Sequence, residues 1–248
     1  MAYQTRPRYR FNLGSSLPQG VRWLLIANVS VWLLNIVCGW IDLGALFLPL
    51  ALTPYLVLRH FEVWQLFTYM FLHDVTSPWH ILFNMLGLWW AGTAIEQTWG
   101  TRKFLKFYFV CGVGAGLCVI LAAMLFHGMG SSVIGASGAI YGLLLAFAML
   151  FPDQIVIFIF FPIKAKYLVM ILAGIALFSS VTDHSSGVSY AAHLGGLAIA
   201  FVYLRLPHLR FDGMSLNRRY EKWRIDRAKR KFQVYMRKQD SKREPWIH

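Results

Sequence analysis

Charged side chains are scarce in this chain. They make up 14% of its 248 residues, whereas 57% of the residues are hydrophobic. A soluble domain usually carries about a quarter charged residues, so the deficit argues against a soluble globular protein. The composition predicts a polytopic membrane protein, because a bilayer covers apolar side chains that water would otherwise meet.

Cysteine is also rare, with only Cys38, Cys111 and Cys118 in the whole chain. Cys111 and Cys118 fall on one predicted helix, about 10 Å apart along its axis, which is too far for a disulfide. We therefore interpret all three as small apolar side chains.

The first apolar stretch lacks a small-residue cleavage site after it, so we interpret it as a retained transmembrane helix rather than a signal peptide. The acid-free start, with Arg6, Arg8 and Arg10, also suits a short organelle-targeting segment. That interpretation is the weaker one, because arginines that flank a first helix on the cytoplasmic side produce the same pattern.

Six stretches are apolar enough to cross a membrane as helices. They cover about 21–40, 79–99, 104–126, 137–151, 166–180 and 190–206. The fourth and fifth are short, so one end of each is expected to stop inside the bilayer. The sequence predicts an all-α protein with a cytoplasmic arm at 1–19, a six-helix membrane domain at 20–207 and a basic cytoplasmic tail at 208–248.

Lysine and arginine are missing from alternate loops, 128–135 and 181–188. The positive-inside rule then places both termini in the cytoplasm and the starts of helices two, four and six at the outer side. Four polar residues lie near those starts: His80, Asn84, Ser137 and His193. Burial of a polar side chain in the bilayer costs free energy, so such residues need hydrogen-bond partners or a function. Their shared depth suggests that these four residues act together.

Residues 41–78 form a long and unusually apolar connection, which Pro49 and Pro54 interrupt. We interpret it as an external loop with short helices that lie partly in the outer leaflet. A re-entrant hairpin is the alternative.

Ser137 lies between glycines in Gly135-Ala136-Ser137-Gly138, at the start of the fourth helix. Free amide groups at a helix start stabilise nearby negative charge. Such amides could supply part of an oxyanion hole. Taken alone, the motif is more typical of helix packing in membranes than of catalysis.

Small residues spaced four apart suggest that the fourth and sixth helices approach closely. The pairs are Gly138 with Gly142 and Gly196 with Ala200. Such an approach would bring Ser137 within reach of His193, as a nucleophile and its base. A lone membrane histidine can also serve only as an interhelical hydrogen-bond donor.

His80 and Asn84 share one face of the second helix, because they are four positions apart. Both can donate to an oxyanion or hold helices together. We expect no metal site, since no carboxylate or thiolate lies at that depth beside these residues.

Together these segments resemble the rhomboid family of intramembrane serine proteases, of the bacterial six-helix type. The similarity rests on His80-Ile81-Leu82-Phe83-Asn84, Gly135-Ala136-Ser137-Gly138 and Ala192-His193-Leu194-Gly195-Gly196, in matching helix order over about 21–206. It extends to Tyr141 and to Gly92-x-x-x-Glu96-x-x-x-Gly100.

The resemblance implies a six-helix rhomboid-like bundle with a semi-immersed first outer loop. It implies Ser137 as nucleophile and His193 as general base, in a dyad without an acid. His80, Asn84 and the Ser137 amide would hold the oxyanion. Supporting roles fall to Tyr141, which would pack against the imidazole, and to Gly135, Gly138 and Gly196.

The implied activity is cleavage of single-pass membrane proteins near the outer face, without a cofactor. An inactive relative that binds transmembrane helices is the alternative function, although such a protein should have lost Ser137 or His193. A channel or transporter is less favoured, because Glu96 is the only strong intramembrane charge. A six-helix core suits a bacterial inner membrane.

Three positions depart from the family pattern. Gln65 follows Trp64 where the family often has arginine, Ala200 replaces a glycine, and two extra residues separate His73 from His80.

Other polar groups receive structural interpretations. Glu96 is expected to pair with loop groups rather than relay protons, and Asp183 and His184 to form a loop turn rather than supply a triad acid. The basic tail is either held against anionic lipids of the inner leaflet or simply solvated, and nucleic acid is not an expected partner.

Overall fold

The computed structural model describes residues 16–126, 128–158, 161–182, 187–206 and 227. The chain divides into two compact units, Met1–Arg205 and Leu206–His248. Only Leu206 and Arg227 are described in the second unit. The interpretation of the basic tail, and that of Asp183 and His184, therefore concern residues outside those described.

Helices dominate the first unit, and each of the six apolar stretches predicted from the sequence is helical. The α-helices are α1 (Gln19–Trp40), α2 (Pro54–His60), α3 (Gln65–Thr68), α4 (Pro78–Gly87), α5 (Thr93–Trp99), α6 (Thr101–Phe126), α7 (Ser137–Leu150), α8 (Ala165–Thr182) and α9 (Gly187–Arg205). A π-helical turn, Leu88–Gly92, joins α4 to α5. Two 3₁₀ turns, Gly44–Leu50 and Tyr69–Phe71, lie in the long first loop.

Among the described residues, only α1 and α6 combine the length and the apolar composition needed to cross a membrane. The segments Ser137–Leu150 and Ala165–Ser180 are shorter apolar helices. Large apolar side chains on the outside of the protein fit contact with lipid, because water-facing surfaces rarely expose so many. Examples are Trp23 and Leu34 on α1, and Met170 and Phe178 on α8.

Helix α6 lies at the centre of the fold, in contact with α1, α3, α5, α7 and α9. Phe104, Phe107 and Tyr108 on this helix are completely buried. A Cβ added to Gly114 would lie 2.7 Å from the Ile199 side chain of α9. The absence of a side chain at Gly114 therefore lets α9 pack closely against α6.

The first loop contains short helices, as predicted. Gln65, which replaces the family's usual arginine, is completely buried at the start of α3. Its Oε1 accepts from the Thr53 amide at 2.8 Å, and its Nε2 donates to the Glu62 carboxylate at 2.7 Å. A neutral amide thus holds the loop where the family pattern suggests an ion pair.

A β-hairpin between α7 and α8 was not expected from the sequence. Strand β1 (Ile155–Phe158) pairs antiparallel with β2 (Phe161–Lys164), and Ile155 lies opposite Lys164. Asp153 contacts Lys166 at 2.9 Å and Lys164 at 3.7 Å at the base of this hairpin. Sequence analysis missed it because the apolar run 155–163 lacks the alternation of a half-buried strand.

Glu96 on α5 is buried and holds the start of α1. Its Oε1 accepts from the Gly20 amide at 2.8 Å, and its Oε2 accepts from the Val21 amide at 2.7 Å. The Thr101 hydroxyl donates to Oε1 at 2.6 Å. These bonds satisfy free amides at a helix start, and they confirm a structural role for Glu96. Its partners lie at the starts of α1 and α6, however, and not in the loops that the sequence suggested.

We expect Glu96→Gln to lower the free energy of unfolding by about 2 kcal/mol, because the new NH₂ group would face a buried backbone N–H. Unfolding by SDS titration in detergent micelles measures the change. Asp153→Asn is the matched control, because its ion pairs are half-exposed and should contribute less than about 1 kcal/mol. Equal losses in the two variants would contradict a special role for Glu96.

Candidate active site

Ser137, at the start of α7, and His193, six residues after the start of α9, lie together. The Ser137 Oγ and the His193 Nε2 are 2.8 Å apart, although the residues are 56 positions apart in the sequence. Ser137 is the first residue of α7, so it belongs to a helix start, where backbone N–H groups have no partner within the helix. The distance agrees with the approach that the glycine spacing predicts.

Glycines allow α7 and α9 to touch backbone to backbone. A Cβ on Gly196 would collide with the carbonyl of Gly138. A Cβ on Gly138 would lie 2.6 Å from the Cβ of Ala115 on α6, and one on Gly142 would lie 2.8 Å from Cys111. Ala200, the substituted position, is completely buried. A side chain at Gly196 would push α9 away from α7, and side chains at Gly138 and Gly142 would push α7 away from α6. Either shift would disturb the contact between Ser137 and His193.

The first loop fixes the segment that leads into Ser137. Leu52 and Val133 exchange two backbone hydrogen bonds, of 3.0 and 2.8 Å. The Gly135 amide donates to the Tyr69 carbonyl at 2.9 Å, and the Tyr69 hydroxyl donates to the Gly112 carbonyl of α6 at 2.7 Å. Tyr69 therefore ties the serine's loop to the central helix.

Gly135 has a φ of +120°, a conformation that glycine adopts far more readily than other residues. A Cβ there would also lie 2.9 Å from His80 Nε2. Both observations require glycine at this position, and they place the His80 ring against the backbone just before Ser137.

His80 and Asn84 lie on one face of α4, as their spacing predicts. The Asn84 Nδ2 donates to the His80 carbonyl at 2.7 Å, which uses one of its two N–H groups. The His80 Nδ1 accepts from the Asp74 amide at 3.3 Å. The structure thus brings His80 to the Ser137 loop and places Asn84 one turn further along α4.

Two tyrosines pack against the His193 ring. Tyr141 stacks on it with centroids 4.3 Å apart and an interplanar angle of 4°. Tyr190 meets it nearly edge-on at 6.1 Å and 78°. The two rings restrict how the imidazole can rotate, so its Nε2 stays directed toward Ser137.

The turn between the first loop and α4 is well ordered by its own hydrogen bonds. Asp74 Oδ1 accepts from both the Thr76 amide and the Thr76 hydroxyl, and this lowers the pKa of the carboxyl below its usual range.

Neighbouring His73 is 1% exposed. Burial, followed by the nearby His80, lowers the pKa of His73 to about 4, so its ring is neutral at pH 7.

Sequence reasoning missed Tyr69, Asp74 and Tyr190. Tyr190 carries a local signal, because it lies three positions before His193 and so shares its helix face. Tyr69 lies in a three-residue 3₁₀ turn and Asp74 in irregular backbone, and neither segment is long enough for periodicity to mark a contact partner. Among the residues that the structure describes, no three histidine, cysteine or acidic side chains are grouped to hold a metal ion.

The part of the chain that contains these residues is similar to known proteins. The family model for the rhomboid domain matches residues 60–209, more than half of the chain. The mitochondrial rhomboid protein 1 of Saccharomyces cerevisiae is 32% identical over 136 residues, which cover 50% of this chain and 37% of the yeast protein.

Two bacterial relatives are named proteases. Rhomboid protease GluP of Bacillus subtilis is 32% identical over 140 residues, covering 56% of this chain and 25% of GluP. Rhomboid protease AarA of Providencia stuartii is 26% identical over 236 residues, covering 83% of this chain and 79% of AarA. The chain thus spans well under half the length of the yeast and Bacillus proteins, and most of AarA.

The family match includes the segments that carry His80, Ser137 and His193, and it coincides with the mostly helical, lipid-facing architecture. The chain belongs to the rhomboid family of integral membrane proteins.

Proposed function

We propose that this protein is an intramembrane serine endopeptidase, which cleaves transmembrane segments of membrane-anchored proteins near the outer face. The observation that carries the proposal is the 2.8 Å distance between Ser137 Oγ and His193 Nε2 at the start of α7. A hydroxyl within hydrogen-bond reach of an imidazole, which two tyrosine rings hold in place, is the arrangement of an activated nucleophile. The names of GluP and AarA support the same activity.

In this mechanism the Ser137 hydroxyl donates its proton to His193 Nε2 as Oγ attacks the scissile carbonyl. The carbonyl carbon becomes tetrahedral and its oxygen becomes negative. His193 then returns the proton to the leaving amine, and an acyl-enzyme remains on Ser137. Water then attacks the acyl carbon and gives a proton to His193 Nε2. The bond between the acyl carbon and Ser137 Oγ breaks, His193 returns the proton to Oγ, and the second product leaves with a new carboxyl group.

The developing negative oxygen needs hydrogen-bond donors close to Ser137. We assign this role to the Ser137 amide, His80 and Asn84. The contact between the His80 ring and Gly135 supports the first side chain, and the second amide N–H group of Asn84 is available for the same purpose.

The proposed fold is a six-transmembrane bundle, with the first loop partly immersed in the outer leaflet. The distribution of lysine and arginine supports cytoplasmic termini, and we propose a bacterial inner membrane as the location. We propose three parts of the chain: a cytoplasmic arm at 1–19, the protease domain at 20–207 and a cytoplasmic tail at 208–248. Partners would be single-pass membrane proteins and, at the basic tail, anionic lipids.

The direct test uses detergent-purified protein, a tagged single-pass substrate and a fluorophosphonate serine probe. We expect substrate cleavage, and a probe adduct that peptide mass spectrometry places on Ser137. A folded protein that neither cleaves nor labels would contradict the proposal and favour a helix-binding relative. An adduct on another serine would contradict the assignment of the nucleophile.

A further inference from the structure

The His80 ring receives a hydrogen bond on the side away from Gly135. The Asp74 backbone amide donates to Nδ1 at 3.3 Å, while Nε2 is the ring atom nearest to where a Gly135 Cβ would lie. The buried ring of His73 packs beside it, with centroids 5.2 Å apart and tilted by 57°. The two nitrogens of His80 therefore have distinct surroundings.

This hydrogen bond determines which nitrogen of His80 carries the proton. A neutral imidazole has one N–H donor and one bare acceptor nitrogen. Because an amide N–H can only donate, Nδ1 must be the acceptor and Nε2 must carry the hydrogen. A proton on Nδ1 would instead face the N–H of Asp74, with no acceptor between them.

The Asp74 backbone is itself held on two sides. Its carbonyl accepts from the Trp32 indole N–H of α1 at 3.0 Å. Its side chain accepts from the Thr76 amide at 2.8 Å and the Thr76 hydroxyl at 2.7 Å, which closes an Asx turn.

We propose that Trp32, Asp74 and Thr76 are positioning residues, which hold His80 in its Nε2–H form so that the ring presents a donor to the Ser137 pocket. The catalytic consequence rests on the proposed protease function. The tautomer itself does not, because it can be observed without any substrate. The negative oxygen of the scissile carbonyl would then accept hydrogen bonds from two sources: the amide at the start of α7 and the Nε2–H of His80.

Histidine tautomers can be read from the ring nitrogen shifts of ¹⁵N-histidine-labelled protein in micelles, with the His80 signals assigned from their loss in His80→Asn. We expect the Nε2–H form in the wild type. Trp32→Phe removes the indole N–H together with one of the two fused rings, and Thr76→Val replaces only the hydroxyl by a methyl group. Both should raise the Nδ1–H population and lower kcat about tenfold, with KM within about twofold of the wild type.

Trp23→Phe is the matched control, because Trp23 lies on the same helix and is 58% exposed. It should change neither the tautomer nor kcat. A wild-type His80 in the Nδ1–H form would overturn the proposal. So would a loss of kcat in Trp32→Phe and Thr76→Val without a change of tautomer, since that result indicates a structural role only.

The two proposals fail in different ways. If the wild type does not cleave, the protease function fails, while the ring shifts of the wild type and the variants still decide whether Trp32 and the Asp74 turn set the tautomer. If cleavage is normal but both variants keep the wild-type ring shifts and kcat, the positioning role fails and the protease function stands.

Discussion

Ser137→Ala is expected to lower kcat/KM for a transmembrane substrate by at least about 10⁴-fold, because removal of a nucleophile leaves only binding and oxyanion stabilisation. The side chain occupies the first position of α7, and alanine fits there without loss of helix packing. The free energy of unfolding should therefore change by less than about 1 kcal/mol. Cleavage kinetics and SDS titration on the same preparation measure both quantities.

Two further variants make this result specific. Ser131→Ala changes a serine in the same loop whose backbone amide donates to the Gly128 carbonyl, a bond that alanine keeps, so it should retain full activity. Combining Ser137→Ala with His193→Ala should cost no more than Ser137→Ala alone, because a nucleophile and its base act as one unit. Additive losses would contradict the dyad.

Gly196→Ala should have the second-largest effect, and it acts through packing. The new Cβ would collide with the Gly138 carbonyl, a backbone atom that cannot turn aside as a side chain can. We expect a loss of about 3 kcal/mol in the free energy of unfolding, at the upper end for an overpacked core. We also expect a loss of at least about 100-fold in kcat, because a shift of about 1 Å misplaces His193.

Gly174→Ala is the matched control, with the same substitution in helix α8. Outside its own helix backbone, none of the described residues has an atom within 4 Å of a Cβ at Gly174. Alanine there should leave activity unchanged and stabilise the helix by up to about 1 kcal/mol. If Gly196→Ala behaved like Gly174→Ala, the close contact between α7 and α9 would not hold Ser137 and His193 together.

Local signals in the sequence were sufficient to predict where the helices lie. Apolar runs of sufficient length predict helices, and Pro78 and Gly100 lie at their ends. The β-hairpin was missed because its apolar run has no period of its own. The number of membrane spans stays a prediction, because α1 and α6 alone meet both the length and the hydropathy criteria among the described residues.

The sequence by itself determined the family, the positions of the helices and the polar residues at their ends, because these depend on residues that are close in the chain. Only the tertiary structure decided which polar atoms meet. Ser137 and His193 are 56 positions apart, Trp32 and Asp74 are 42 apart, and Glu96 is 76 positions from Gly20. Hydrogen bonds depend on distances of a few tenths of an ångström. These distances are set when α4 packs against α1 and α7, when α5 packs against α1, and when α7 packs against α9, around the central helix α6.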